Sequence, residues 1–214
     1  MRKILLLIVI CLLATMFSLV FSENPFIDTL YFSGENLRKG YFWSPITALF
    51  IHANMAHLIG NMLFLYAFGS TLESEIGSTR TILAFFIGGV LSFILSLYFY
   101  GSNTIMIGSS AAIFTLLAIV MLIKPLKFSW LFLMPLGLVA ILYFIYNALM
   151  IFYLNINETN IGYLGHVIGF LVGVPFGISW SRGKWKRNLL ITIALLTIYF
   201  IVINIITEML GLII

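Results

Sequence analysis

The sequence predicts an all-α, polytopic membrane protein. Of its 214 residues, 62% are hydrophobic and only 8% charged, against about 25% charged in an ordinary soluble domain. Mean hydropathy is +1.15. Long apolar runs recur along the chain, separated by polar segments that gather the basic residues. So few charges cannot clothe a water-soluble surface. The net charge of +4 therefore reflects membrane topology rather than a nucleic-acid partner. The one cysteine, Cys11, sits inside an apolar run, which excludes a disulfide framework and a multi-thiolate metal site.

A helix crossing the hydrocarbon needs about 20 apolar residues, because each unpaired backbone group in lipid costs several kcal/mol. Seven stretches meet or approach that length: 4–21, 53–72, 81–99, 109–123, 129–154, 162–181 and 189–206. The first follows Arg2 and Lys3 and resembles a signal peptide cleavable after Ser22. Its apolar core is longer than the roughly 7–15 residues of such a signal, so a retained anchor is the expectation. The chain is read as one membrane domain, with a core over 1–181 and an additional C-terminal span over 189–206.

With a cytoplasmic amino terminus, Arg2, Lys3, Arg80, Lys124, Lys127, Arg182, Lys184, Lys186 and Arg187 face inward, and only Arg38 and Lys39 face outward. The positive-inside rule selects this orientation. The expected location is the plasma membrane. Between the first two spans runs a long loop carrying Phe26, Tyr31, Phe32, Tyr41, Phe42 and Trp43. Aromatic residues of this kind favour the membrane interface, and so long a loop is expected to be packed and half-immersed.

Ionisable side chains inside a membrane point to function. The histidines His52, His57 and His166 all lie at the outer ends of spans. At 1.5 Å rise per residue, Ser110 stands roughly 20 Å above the inner end of its span, His166 and His57 roughly 22 Å, and Asn61 about 16 Å. These four groups share a layer some 10 Å below the outer surface of a core of about 30 Å. The fourth span is short, and Gly101-Ser102-Asn103-Thr104 completes its outer end. Irregular backbone at such depth requires a protein-lined, watered cavity, here open to the outside.

On the sixth span Gly165, Gly169, Gly173 and Gly177 recur every fourth residue, leaving one side free of bulk for close packing. His166 sits beside that side. The fourth span opens with an equally small cluster, Gly108-Ser109-Ser110-Ala111-Ala112. If the two surfaces meet, the Ser110 hydroxyl comes within hydrogen-bond reach of the His166 imidazole, the arrangement of an activated nucleophile. Taken singly, each feature has a plainer reading: a serine bonded to the carbonyl one turn back, glycines for packing, a histidine at the interface. His52 keeps that plainer reading. The convergence of nucleophile, base and amide at one depth favours chemistry for the others.

Other membrane chemistries lack their residues. No HExxH sequence is present for a zinc protease. The sole aspartate, Asp28, lies in the first loop, so there is no intramembrane aspartyl dyad. Ion-coupled transport would leave charges within the spans, and only Glu208 comes near. A channel lined by the histidines is disfavoured by the apolar inner halves of the spans. No metal or organic cofactor is implied. With no carboxylate near Ser110, the expected site is a Ser/His dyad without an orienting acid.

Three motifs resemble those of the rhomboid intramembrane serine proteases: His52-x4-His57-x3-Asn61, Gly108-Ser109-Ser110-Ala111 and Gly165-His166-x2-Gly169. Their order, spacing and span assignment agree over about 130 residues, from Trp43 to Gly173. The resemblance implies a rhomboid-like six-helix bundle plus one further C-terminal helix. It also implies Ser110 as nucleophile and His166 as general base, with His57, Asn61 and the Ser110 amide stabilising the oxyanion. Removing one such donor costs about 3–4 kcal/mol. The fifth span and a cap would gate entry from lipid, and the substrates would be single-span membrane proteins whose helices unwind before attack.

The chain departs from that pattern at four places. Ala111 and Thr115 stand where glycines are usual, with impaired helix packing expected. Phe114 replaces a tyrosine that stacks on the histidine, keeping the ring and losing the hydroxyl. Trp43-Ser44 replaces a Trp-Arg pair. Ser109 is not the proline of inactive relatives, so activity is expected. The competing reading is a catalytically inactive relative that binds client transmembrane helices. The sequence leaves the oligomeric state open.

Overall fold

The computed structural model describes residues 3–153 and 162–211; Arg2 and Leu154, used above, lie outside the described residues. Among the described residues six helices are long and apolar enough to cross a membrane, and a seventh, shorter apolar helix stands among them. Helix α1 (Lys3–Val20) buries Ile4, Leu7, Cys11, Thr15 and Ser18, a three-and-four spacing that turns one stripe inward. Its first amides are capped from a distance: Lys3 N donates to Glu73 Oε1 at 2.7 Å and Ile4 N to Oε2 at 3.4 Å. The carboxylate thus meets the positive end of the helix dipole.

The loop that follows is packed, as its length predicts. It folds into α2 (Pro25–Asp28), α3 (Gly34–Arg38) and α4 (Ser44–Thr47). Phe32 is fully buried and pairs with Met106 through two backbone hydrogen bonds of 3.3 and 2.8 Å. Its ring stacks on Phe93 at 5.2 Å. Glu35 N donates to Ser102 O, so the 101–104 stretch is fastened to this loop. Trp43 Nε1 donates to Thr29 O at 3.1 Å. The neighbouring Ser44 hydroxyl is buried with no hydrogen-bond partner among the described residues. Phe26, Phe42 and Trp43 remain exposed.

The second span is not one regular helix. Helix α5 (Met55–Phe64) runs through a π-helical turn at Leu65–Gly69 into α6 (Ser70–Ile76). A side chain at Gly69 would collide with Ile4, so the turn seats α1. Helix α7 (Ser78–Tyr100) ends at Gly101, whose φ of +80° lies in the left-handed region that glycine adopts without strain.

Helix α8 (Ser110–Ile123) is the axis of the molecule. All its residues from Ala111 to Leu122 are buried, with α7, α9 (Leu136–Tyr153), α10 (Tyr163–Trp180) and α11 (Trp185–Met209) packed around it. Fourteen residues extend about 21 Å, well short of a hydrocarbon core of roughly 30 Å. Gly108 and Ser109, which lead into it, are buried, so α8 starts within the bundle. Its other end is closed by Asn188 of α11, whose Nδ2 donates to Leu122 O at 2.8 Å and Ile123 O at 3.1 Å. These are carbonyls that the end of a helix otherwise leaves unpaired.

One predicted span requires correction. The fifth was expected from residue 129, but Phe128–Ser129 (β1) pairs antiparallel with Met134–Pro135 (β2), and the helix starts only at Leu136. The intervening residues are apolar enough to read as membrane, yet Leu133 takes a φ of +55°, which closes the hairpin and breaks helical geometry. The other spans agree with expectation to within a few residues at each end.

Candidate active site

Ser110 is the first residue of α8, reached through a tight turn. Gly108 has φ of +110°, and a Cβ placed there would lie 2.8 Å from His57 Cε1. Glycine is therefore required both by the backbone and by the approach of His57. The adjoining Ser109 is held from behind. Its hydroxyl lies 3.1 Å from His52 Nε2, and His52 Nδ1 lies 3.1 Å from Thr15 Oγ1. His52, 1% exposed, thus ties α1 to the turn that presents Ser110, in keeping with its structural reading.

Helices α8 and α10 meet at backbone distance. A Cβ at Gly169 would sit 2.2 Å from Ala111 O, and one at Gly173 would sit 2.4 Å from Thr115 O. Gly177 faces Leu122 and Ile119, whereas Gly165 turns toward Ser96 of α7. Three of the four glycines in the row therefore clear the path of α8. This approach leaves His166 Nε2 2.7 Å from Ser110 Oγ. The Phe114 ring lies parallel to the imidazole, 4.6 Å away with 2° between the planes, so the stack persists without a tyrosine hydroxyl.

Thr115 does not impair the packing, contrary to expectation. Opposite it stands Gly88 of α7, where even a single Cβ would lie 2.1 Å from Thr115 Oγ1. The missing side chain on α7 makes room for the extra one on α8. The hydroxyl then donates across the interface to Gly169 O at 2.8 Å. We expect Thr115→Gly to lower stability by roughly 2 kcal/mol through the lost bond and the cavity left behind, read as a reduced thermal unfolding midpoint in detergent.

His57 donates its backbone N–H to Asn54 Oδ1 at 2.8 Å, the cap of α5. Asn61, one turn further, is 9% exposed, and its Nδ2 has no hydrogen-bond partner among the described residues. A buried donor without an acceptor is costly. The Asn61 amide is therefore a donor left over by the fold itself. Among the described residues no group of three or more His, Cys, Asp and Glu side chains could hold a metal ion.

Sequence reasoning missed one member of this constellation. Asn147 of α9 is 3% exposed, and its Oδ1 lies 2.7 Å from His166 Nδ1. An amide within an otherwise apolar and aromatic helix was the available signal.

The family model described as Rhomboid domain matches residues 39–183, more than half of the chain. The chain belongs to the rhomboid family. Ser110, His166, His57, Asn61 and Asn147 all fall within the rhomboid match. The chain is 31% identical over 151 residues to Rhomboid-like protein 11, chloroplastic, of Arabidopsis thaliana, covering 65% of this chain and 52% of that protein. It is 30% identical over 165 residues to Rhomboid protease GluP of Bacillus subtilis, covering 76% and 31% respectively. To Rhomboid-like protease 1 of Toxoplasma gondii it is 24% identical over 162 residues, covering 74% and 55%. The matched stretch thus spans about half or less of the length of these relatives. Family membership and the apolar helices together make the chain a multi-pass integral membrane protein.

Proposed function

We propose that this rhomboid is an intramembrane serine endopeptidase. The observation that carries the reading is the 2.7 Å separation of Ser110 Oγ and His166 Nε2 at the recessed start of α8. In this reading Ser110 Oγ attacks the scissile carbonyl while Nε2 takes its proton. The Asn61 amide, the His57 side chain and the Ser110 N–H receive the negative oxygen, each a donor held in place before the charge develops. Collapse returns the proton to the leaving amine and leaves an acyl-enzyme on Ser110. Water from the outward-facing cavity then attacks with His166 again as base.

The substrates are proposed to be single-span membrane proteins. A helical peptide bond is shielded by its own hydrogen bonds and side chains, so a segment must unwind before it reaches Ser110. The proposed setting is the plasma membrane, with the amino terminus cytoplasmic and the cavity opening outward, on the strength of the basic residues of the inner loops. In lipid vesicles the purified protein should release a fragment from a single-span reporter, cut inside or beside the span, as read by mass spectrometry. Folded protein that binds the reporter and never cuts it would favour a client-binding relative instead.

A further inference from the structure

We propose that Asn147 is a positioning residue that fixes His166 in the tautomer able to take the Ser110 proton. The inference rests on the protease reading and adds a third member to its dyad. Asn147 is anchored within its own helix, where Nδ2 donates to Tyr143 O at 2.8 Å. A carbonyl oxygen only accepts, so this bond decides which end of the amide points the other way. Oδ1 is therefore the atom that faces His166 Nδ1 at 2.7 Å.

An amide oxygen is also only an acceptor. The proton of the neutral imidazole must then reside on Nδ1, and the lone pair on Nε2 faces Ser110 Oγ. The opposite tautomer would set Nε2–H against the serine and leave Nδ1 and Oδ1 as two acceptors in contact. The ring has little freedom to escape this choice, since Phe114 lies flat against it. A carboxylate in the same place would orient the ring and stabilise the imidazolium by charge. Asn147 supplies the orientation without the charge, which suits a site flanked by lipid, where a buried carboxylate is expensive.

The test uses intact protein in lipid vesicles with a single-span reporter, resolving kcat from KM. Asn147→Leu keeps the volume and removes the acceptor, and should lower kcat about 100-fold with KM nearly unchanged. Asn147→Asp keeps an oxygen toward Nδ1 and should restore at least a tenfold share of that loss. A leucine variant with wild-type kcat, or leucine and aspartate variants that fall alike, would overturn the proposal. Nitrogen-15 NMR of labelled histidine in the unsubstituted protein provides a reading that needs no variant. Neutral His166 is expected with its proton on Nδ1, and a proton on Nε2 contradicts the inference. The NMR result bears on Asn147 even if the reporter is never cut, which would instead count against the protease reading.

Discussion

Ser110→Ala should reduce turnover of a membrane-spanning reporter by about 10⁴-fold or more, and His166→Ala by a comparable factor. The two losses should not add. The hydroxyl is a weak nucleophile by itself, and the imidazole has nothing to deprotonate once the hydroxyl is gone, so the double variant should resemble either single one. The rates are measured in vesicles at matched protein levels. Ser110 and His166 are each half-buried, so neither truncation opens a large core cavity, and folding should survive. Additive losses in the double variant would mean that the 2.7 Å contact is not the source of activation.

Gly169→Ala should be nearly as damaging by a different route. The added methyl carbon would lie 2.2 Å from Ala111 O. Its obstacle is backbone at the start of a fully enclosed helix, so neither a rotamer change nor a small local shift relieves it. Overpacking of this kind costs about 3 kcal/mol, read from thermal unfolding. If the chain still folds, α10 must move away from α8 and carry His166 from Ser110, so turnover falls in the surviving protein too. Gly165→Ala on the same helix provides the contrast. Its new carbon would meet only Ser96 Oγ, at 3.5 Å, and should be tolerated. Equal stability of the two variants would show that the glycine row does not set the α8–α10 approach.

Much of this architecture is legible in the sequence because lipid leaves the chain few choices. A spanning segment must be helical and mostly apolar, so composition alone marks where helices lie. The same rule misleads at the edges. Residues 129–135 are nearly as apolar as a span, and hydropathy does not separate an interfacial hairpin from the start of a helix. Pro135, which has no N–H to donate, stood directly before the true start at Leu136. The π-helical turn at Leu65–Gly69 is not legible along the chain, because the contact it serves, Gly69 against Ile4, joins residues of different helices.

The site shows the same division. Spacing along single helices placed Ser110, His166, His57 and Asn61 at one depth, since helical rise converts residue number directly into height. Pairings between helices were less accessible. Thr115 looked like a packing defect because its complement, Gly88, lies on another helix with no sequence relation to it. Asn147 is missed for a similar reason: its partner His166 is nineteen residues away and on a different helix, so no periodicity along one helix links them.

In the protease reading, contact with His166 is what makes Ser110 nucleophilic. Fluorophosphonate labelling tests it most directly, because it requires an activated serine and no knowledge of a substrate. A covalent adduct is expected on Ser110, located by peptide mass spectrometry, and it should disappear in folded His166→Ala protein. Folded wild-type protein that never labels, or labelling of Ser110 that persists at the same rate without His166, would contradict it.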